Sequence, residues 1–329
     1  MYHRILLLIA GIAAAQAGCA QDAAVSPGGS APASTSTDQS STPVSAYAAG
    51  HGSIGIDYQN VYYHGDFDGP AGKDSGNVRF QVWQLQASYF VADGWEIHAG
   101  LPYIQGKFSG PTAAMFAHPV LSCLTAAGPT PACRPVLLDN GNYHGSFQDW
   151  NAGVRYHFDY NGYQIAPEVD LLVPSHNYQY YGAASYGERN TQVGVGVQLA
   201  HQFDFTNFYY QAHYEYFFNT PHIGYNNNYN SFGLDVGYFF SPDLSAKLIT
   251  DLKIGNGITD QEIGGPPALD PIWLNHDRIR LQDHGIVGGA IDYAFAKKLD
   301  LQATLEHAVW GRSDGDLKYA LDFRLTRRF

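Results

Sequence analysis

From His51 to the C-terminus the chain repeats one pattern, apolar residues on every second position with polar residues between them. A period of two belongs to a β-strand with two unlike faces. Twelve such segments can be traced. The first carries Ile54, Ile56 and Tyr58. The second runs from Val78 through Trp83, Leu85, Ala87 and Tyr89, with a slip of face near Val82 that reads as a β-bulge. Further segments cover 95–103, 150–158, 163–173, 193–203, 208–216, 232–240, 244–254, 287–295 and 299–305. The twelfth closes the chain, with Leu317, Tyr319, Leu321, Phe323, Leu325 and Phe329 on one parity and Asp322, Arg324 and Thr326 on the other.

The connections sort themselves by length. Short turns fall at 92–94, 160–162, 204–207, 241–243 and 296–298, and Asn161-Gly162 is a strong hairpin signal. Longer linkers fall between them, at 64–76, 105–147, 174–190, 219–229, 255–281 and 310–316. Alternating short and long connections are the pattern of outer-membrane barrels, with short periplasmic turns and long extracellular loops. Trp95, Tyr163, Phe203, Phe205, Phe239, Phe240 and Phe295 gather at the short-turn ends; Tyr62, Tyr103, Trp150, Tyr216 and Trp310 gather at the long-loop ends. Two aromatic bands fit girdles at two membrane interfaces. The expected fold is all-β: a transmembrane antiparallel up-and-down barrel of about 12 strands over residues 49–329, both termini periplasmic. A barrel tolerates no free edge in lipid, so the last strand must pair with the first.

Composition narrows the setting. Charged residues make up 15% of the chain, below the roughly 25% of ordinary globular domains. The formal net charge of -12 argues against nucleic acid as a partner, since phosphate contacts need basic patches. "MYHR" followed by "ILLLIAGIAAA" reads as a signal peptide over 1–17, with Ala15-Gln16-Ala17 at the cleavage site. A rival reading makes "QAGC" a lipobox and Cys19 a lipidated residue, although Gln16 stands where Leu is usual. Residues 18–48 are rich in Ser, Thr, Pro and Ala and read as a disordered tether. Cys123 and Cys133 lie in a loop of a protein exported to an oxidising compartment; a local disulfide is the first reading and two unpaired loop cysteines the second.

If the apolar face meets lipid, the polar face lines the lumen. Asp57, Arg155, His157, Glu168, Asp170, His213, Glu215, Asp235, Lys247, Asp251, Lys253, Asp292, Glu306, Asp322 and Arg324 are the expected lining. They suit either a selective conduit or a salt-bridged plug. No cofactor or metal is expected. His64, His118, His144, His176, His222 and His276 fall in the expected loops without ligand spacing. A barrel hydrolase would need a Ser activated by a His; His98, His157, His213 and His307 lie on strands, but no Ser can be paired with them from sequence, and an enzyme is not expected.

The strand "WEIHAGLPYIQG" with Leu101-Pro102-Tyr103 at its outer end, the strand closing in "DLLVP" at Pro174, and the final strand together resemble the outer-membrane barrels of the MetA-pathway of phenol degradation. That resemblance spans most of residues 50–329. It implies a channel or transporter for small solutes, often aromatic or hydrophobic, and it assigns no binding residue. The closing strand also resembles the signal by which the barrel-assembly machinery recognises its clients, through Leu321, Phe323, Leu325 and Phe329, with Arg327 departing from it. Outer-membrane lipid, that machinery and a small solute are thus the expected partners. The alternative to a channel is a plugged structural or adhesive barrel acting through the loops at 105–147 and 255–281.

Overall fold

The computed structural model of the chain describes residues 47–66, 76–110, 124–125, 128–129, 138, 140–180, 184–259, 275–296, 298–313 and 315–329. Apart from a separate two-stranded ladder pairing 124–125 with 128–129, the strands form a closed antiparallel barrel of twelve. β1 is Gly52–Asp66, β2 Asn77–Ala92 and β3 Trp95–Ser109. β4 is assembled from His144–Phe147, Trp150–Tyr156 and Phe158–Tyr160. β5 is Tyr163–Val173, β6 Gln192–Gln202, β7 Phe208–Asn219, β8 Tyr229–Ser241 and β9 Leu244–Gly255. β10 is Asp283–Ala296, β11 Leu299–Arg312 and β12 Gly315–Arg328. Each strand pairs with the next, and β12 pairs with β1 to close the wall. The Phe329 N–H donates to the Gly52 carbonyl at 2.9 Å and the Gly52 N–H returns a bond to Phe329 at 3.2 Å, so the ladder runs to the last residue. The β4–β5 turn holds Asn161 at φ 53° and Gly162 at φ 81°, the left-handed pair of a two-residue hairpin.

The alternation reads directly as burial. Val195, Leu234, Leu248 and Leu305 are 47%, 43%, 70% and 56% exposed, whereas Asp57, Glu215 and Lys247 are 1%, 2% and 7% exposed. Water would penalise such an exterior; lipid hydrocarbon does not, and a closed ladder leaves no strand edge to desolvate. Trp95, Trp150, Tyr163, Phe203, Phe205, Phe240 and Phe295 are exposed on this outer surface. Phe239 is a correction to that girdle: it stands on the inner parity and packs on the buried Tyr209 ring, centroids 4.6 Å apart.

The expected bulge at Val82 is absent. The β1–β2 register runs unbroken from Gly52↔Tyr89 to His64↔Asn77. What changes near Val82 is the solvent outside, not the backbone. Asn60, Gln81 and Gln105 are cross-strand neighbours on the outer face, followed by Arg79 and Lys107. Beyond that row the outer face is polar and the inner face is apolar. Val61, Tyr63, Phe80, Val82, Ile104 and Phe108 are all buried there. β1, β2 and β3 have 15, 16 and 15 residues, more than the roughly 9–11 a tilted strand needs to cross a bilayer. Their excess rises past the lipid as a soluble collar with an ordinary hydrophobic interior.

The closing strand obeys the same switch. Tyr62 faces Tyr319 but Tyr63 faces Leu317, so the register skips Lys318. This bulge turns Leu317 inward, 3% exposed, off the parity it shares in sequence with Leu321. The linker expected at 310–316 is also a correction: β11 and β12 consume most of it, and Ser313 makes the reversal at φ 56°.

Candidate functional site: the barrel interior

All the charged residues expected to line the lumen stand on the inner parity, and most are held in pairs across neighbouring strands. Arg155 on β4 meets Glu168 on β5 at 2.7 Å and Glu96 on β3 at 3.4 Å. His157 donates to Glu96 at 2.5 Å, and His98 donates to Asp170 at 2.6 Å. Across the barrel Lys247 on β9 meets Asp235 on β8 at 2.6 Å, while His213 stands 3.8 Å from Asp251. Arg324 on β12 reaches Asp57 on β1 at 2.8 Å and Asp322 at 3.9 Å, riveting the seam that closes the barrel. Asp292 accepts from Gln302 at 2.6 Å, and Lys253 donates to Gln282 at 3.0 Å while lying over the Tyr229 ring. Glu306 lies against Gly288, where an added Cβ would stand 2.7 Å from its Cγ. Sequence reasoning named neither Glu96 nor Gln84, both buried on the same face; each has the right parity.

Inward glycines make room for these side chains. On β6, Gly194 and Gly196 face inward between the outward Val193, Val195 and Val197. The Glu215 side chain lies over both. A Cβ at Gly194 would stand 2.8 Å from the Glu215 Cδ, and one at Gly196 2.9 Å from its Cγ. Glu215 thereby crosses β6 and brings its carboxylate within 4.8 Å of those of Glu168 and Asp170 on β5. Sequence reasoning placed all three inside but did not join them.

The long-loop end is covered from within. Leu138, Tyr178 and Tyr186 pack onto Val61, Tyr63, Phe80, Val82, Ile104, Ala308 and Leu317 as one buried apolar cluster. Polar contacts hold the covering segment. The Tyr178 hydroxyl donates to Asp149 and accepts the Arg189 N–H at 2.8 Å; burial, then Asp149, raises its pKa well above the ordinary tyrosine value. Arg189 and Arg278 flank the Tyr180 ring at 4.6 and 4.0 Å. Arg278 belongs to the helical turn His276–Ile279 and donates to the Glu188 and Arg189 carbonyls at 2.8 and 2.6 Å. His222, from the β7–β8 loop, donates to Asn190; burial, then Arg278 and Arg189, lowers its pKa to about 4. Three loops are thus tied over one mouth. At the other end Tyr47 stacks on His157 at 4.9 Å, its pKa raised to about 12 by burial and by Asp159, and its carbonyl accepts from Gly94 at 2.8 Å. The tether expected to extend through residue 48 is therefore docked on the barrel from Tyr47.

Among the loop histidines, His64 and His144 contact Asn77 and Asn140, and His176 lies between Ser175 at 2.8 Å and Ser146 at 3.2 Å. Those serines occupy both ring nitrogens of His176, leaving none for the carboxylate or amide that a hydrolytic triad places behind its base. Strand His98, His157 and His213 face carboxylates, and His307 bonds the Lys318 carbonyl at 3.0 Å. Cys19, Cys123, Cys133 and His118 lie outside the described residues, as do the signal peptide and nearly all of the tether.

No protein family and no curated protein matches the chain in sequence. Solved structures do match it in shape. The COG4313 outer membrane channel from Pseudomonas putida F1 superposes with a TM-score of 0.63 at 13% identity, covering 88% of this chain and 100% of that one. The KdgM porin aligns at 0.42 and 10% identity, over 84% of this chain and 99% of its own. The Ralstonia pickettii toluene transporter TbuX aligns at 0.39 and 12%, over 85% and 89%. With its apolar exterior, polar interior and closed twelve-strand ladder, the chain has the fold of an outer-membrane β-barrel.

Proposed function

We propose that the protein is an outer-membrane channel for passive passage of small solutes, narrow along its polar length and closed at the extracellular mouth by the apolar cluster on Tyr178 and Tyr186. The observation that supports this is the division of the interior. A polar, ion-paired shaft suits water and small polar groups; the collar of Val61, Tyr63, Phe80, Val82, Ile104 and Leu317 suits apolar and aromatic molecules. A solute of mixed character, a small aromatic compound bearing a polar group, fits both zones. The MetA-pathway resemblance and the fold shared with an outer-membrane channel point the same way. Localisation in the outer membrane, periplasmic termini and delivery by the barrel-assembly machinery belong to the same reading.

The extreme burial of the inner polar residues favours a second reading, a plugged barrel that acts through its loops. Reconstitution separates the two. Full-length protein in planar bilayers should show small conductance, and in liposomes it should admit phenol-sized aromatics ahead of sugars. Replacing Tyr178 and Tyr186 by alanine should widen the mouth and raise conductance severalfold. Absence of both conductance and uptake in wild type and in the opened variant would leave the plugged barrel.

A further inference from the structure

We infer that Glu168, Asp170 and Glu215 form a binding site for a hard divalent cation of the Ca2+ class inside the barrel. Their carboxylate oxygens lie within 4.8 Å of one another, and the three residues are 4%, 6% and 2% exposed. Two ligands of one Ca2+ at 2.3–2.6 Å can stand up to about 5 Å apart, whereas Mg2+ at 2.0–2.1 Å requires a tighter cage. The donors are oxygens only, which suits a hard cation and not a thiophilic or imidazole-seeking one.

Two oxygens in the cluster point to a missing partner. Glu215 Oε1 and Asp170 Oδ2 are buried and accept no hydrogen bond. The other charges nearby are already engaged: Glu168 accepts from Arg155 at 2.8 Å and from Gln198 at 3.0 Å, and Asp170 accepts from His98 through its other oxygen. With Glu96 also bound to Arg155, one guanidinium is shared among several carboxylates; its field reaches Glu215, but Glu215 Oε1 accepts no bond from it. Leaving a buried carboxylate unpaired is costly, and a bound cation removes that cost. Geometry has been arranged to bring this group in. Glu215 reaches β5 across two glycines of β6, and any side chain at Gly194 would collide with it. A residue that needed only to fill space would not need that double gap.

The site lies in the polar shaft, so its occupancy would neutralise the wall and tie β5 to β7. The test is calorimetric titration of CaCl2 into purified full-length protein in detergent near pH 7.5, after EDTA treatment. One Ca2+ per chain is expected, with at least a tenfold loss of affinity in Glu215→Gln and in Gly194→Ala. Ca2+ should also raise the thermal unfolding midpoint of the wild type and leave that of Glu215→Gln unmoved, with heat-modifiable migration on gels reporting that each variant is folded. Ca2+ binding in Glu215→Gln equal to wild type overturns the site, since lipid or surface carboxylates would then account for it. No Ca2+ uptake by the wild type overturns it as well, and this arm stands even if neither variant folds; the group would then hold a proton rather than a metal.

Discussion

The seam between β12 and β1 offers a measurement of how dry the interior is. Asp57 is 1% exposed and accepts two bonds from Arg324, at 2.8 and 3.2 Å. Replacing Arg324 with Met keeps much of the side-chain volume and deletes the cation. At 2.8 Å the Coulomb attraction is about 6 kcal/mol for an effective dielectric of 20 and about 1.5 kcal/mol in bulk water. Stranding one partner of a buried pair typically costs about 3–5 kcal/mol, whereas an exposed pair is worth about 0–1 kcal/mol. Arg324→Met should therefore destabilise the barrel by about 3 kcal/mol or more, roughly a hundredfold or greater shift in the folding constant. Adding Asp57→Asn should return most of it, because the stranded charge and not the lost attraction is the main cost. The assay is urea unfolding of barrels folded into phospholipid vesicles, scored by heat-modifiable migration and tryptophan fluorescence. A single-variant loss below about 1 kcal/mol, with no recovery in the double variant, would refute the reasoning: the inner wall would then be as wet as a protein surface.

Four further outcomes follow from other parts of the barrel. Gly52→Val would drive a side chain into the Phe329 ring, whose Cζ stands 2.8 Å from the position of an added Cβ; it should lower the fraction that closes during folding, read as loss of the heat-modifiable band. Tyr178→Phe deletes the hydroxyl that donates to Asp149 and accepts the Arg189 N–H and should cost about 1–3 kcal/mol, seen as faster hydrogen exchange at 176–180 and 184–190. His222 has a folded pKa of about 4, below its unfolded value of 6.5, so the unfolded loop binds the extra proton between those values. Its contribution to mouth closure should be full above about pH 6.5 and lost as pH falls toward 4; exchange in 220–226, corrected for intrinsic rate, should rise in that window and flatten in His222→Gln. On β8, cysteine at Leu234 should react with lipid-phase reagents and cysteine at Asp235 should not; the reverse would turn the wall inside out.

The wall was legible because a barrel writes itself as a period of two: the twelve strands and most of the inner parity follow from that period, and the turns from the spacing between the strands. Where the reading slipped, the physics outside the barrel had changed. Around Val82 the apolar residues switch parity, and a pattern reader sees a bulge. The backbone is regular, and the membrane has ended: above Asn60, Gln81 and Gln105 water replaces lipid, so the apolar face must turn inward. Leu317 is the converse, an alternation that looks unbroken in sequence and hides a real bulge at Lys318. The covering role of Tyr178 and Tyr186 was not legible at all, since it depends on which way a linker folds. The one available signal was that the linker at 174–190 carries buried-type aromatics where a solvated loop has no need of them.

The acidic trio shows what kind of evidence a barrel sequence does hold about its interior. Glu168 and Asp170 stand two apart on one strand and Glu215 stands two strands away, so no spacing motif connects them. The connecting clue is the strand between. In "VGVGV" the valines meet lipid and the glycines face in, a strand that is apolar outside and has no side chain inside at Gly194 and Gly196. Inward glycine weakens a strand by entropy and by lost packing, so its recurrence opposite large polar side chains needs a steric reason. Gly153 beside His98 and Asp170, and Gly233 beside His213 and Asp251, repeat the arrangement. In each case a neighbour's charged side chain lies flat over the vacancy and meets a partner it could not otherwise reach. A barrel wall sets cross-strand distances by its ladder, and the glycines are the places where this wall lets side chains cross a strand; the cation site is predicted at the place where two of them occur together.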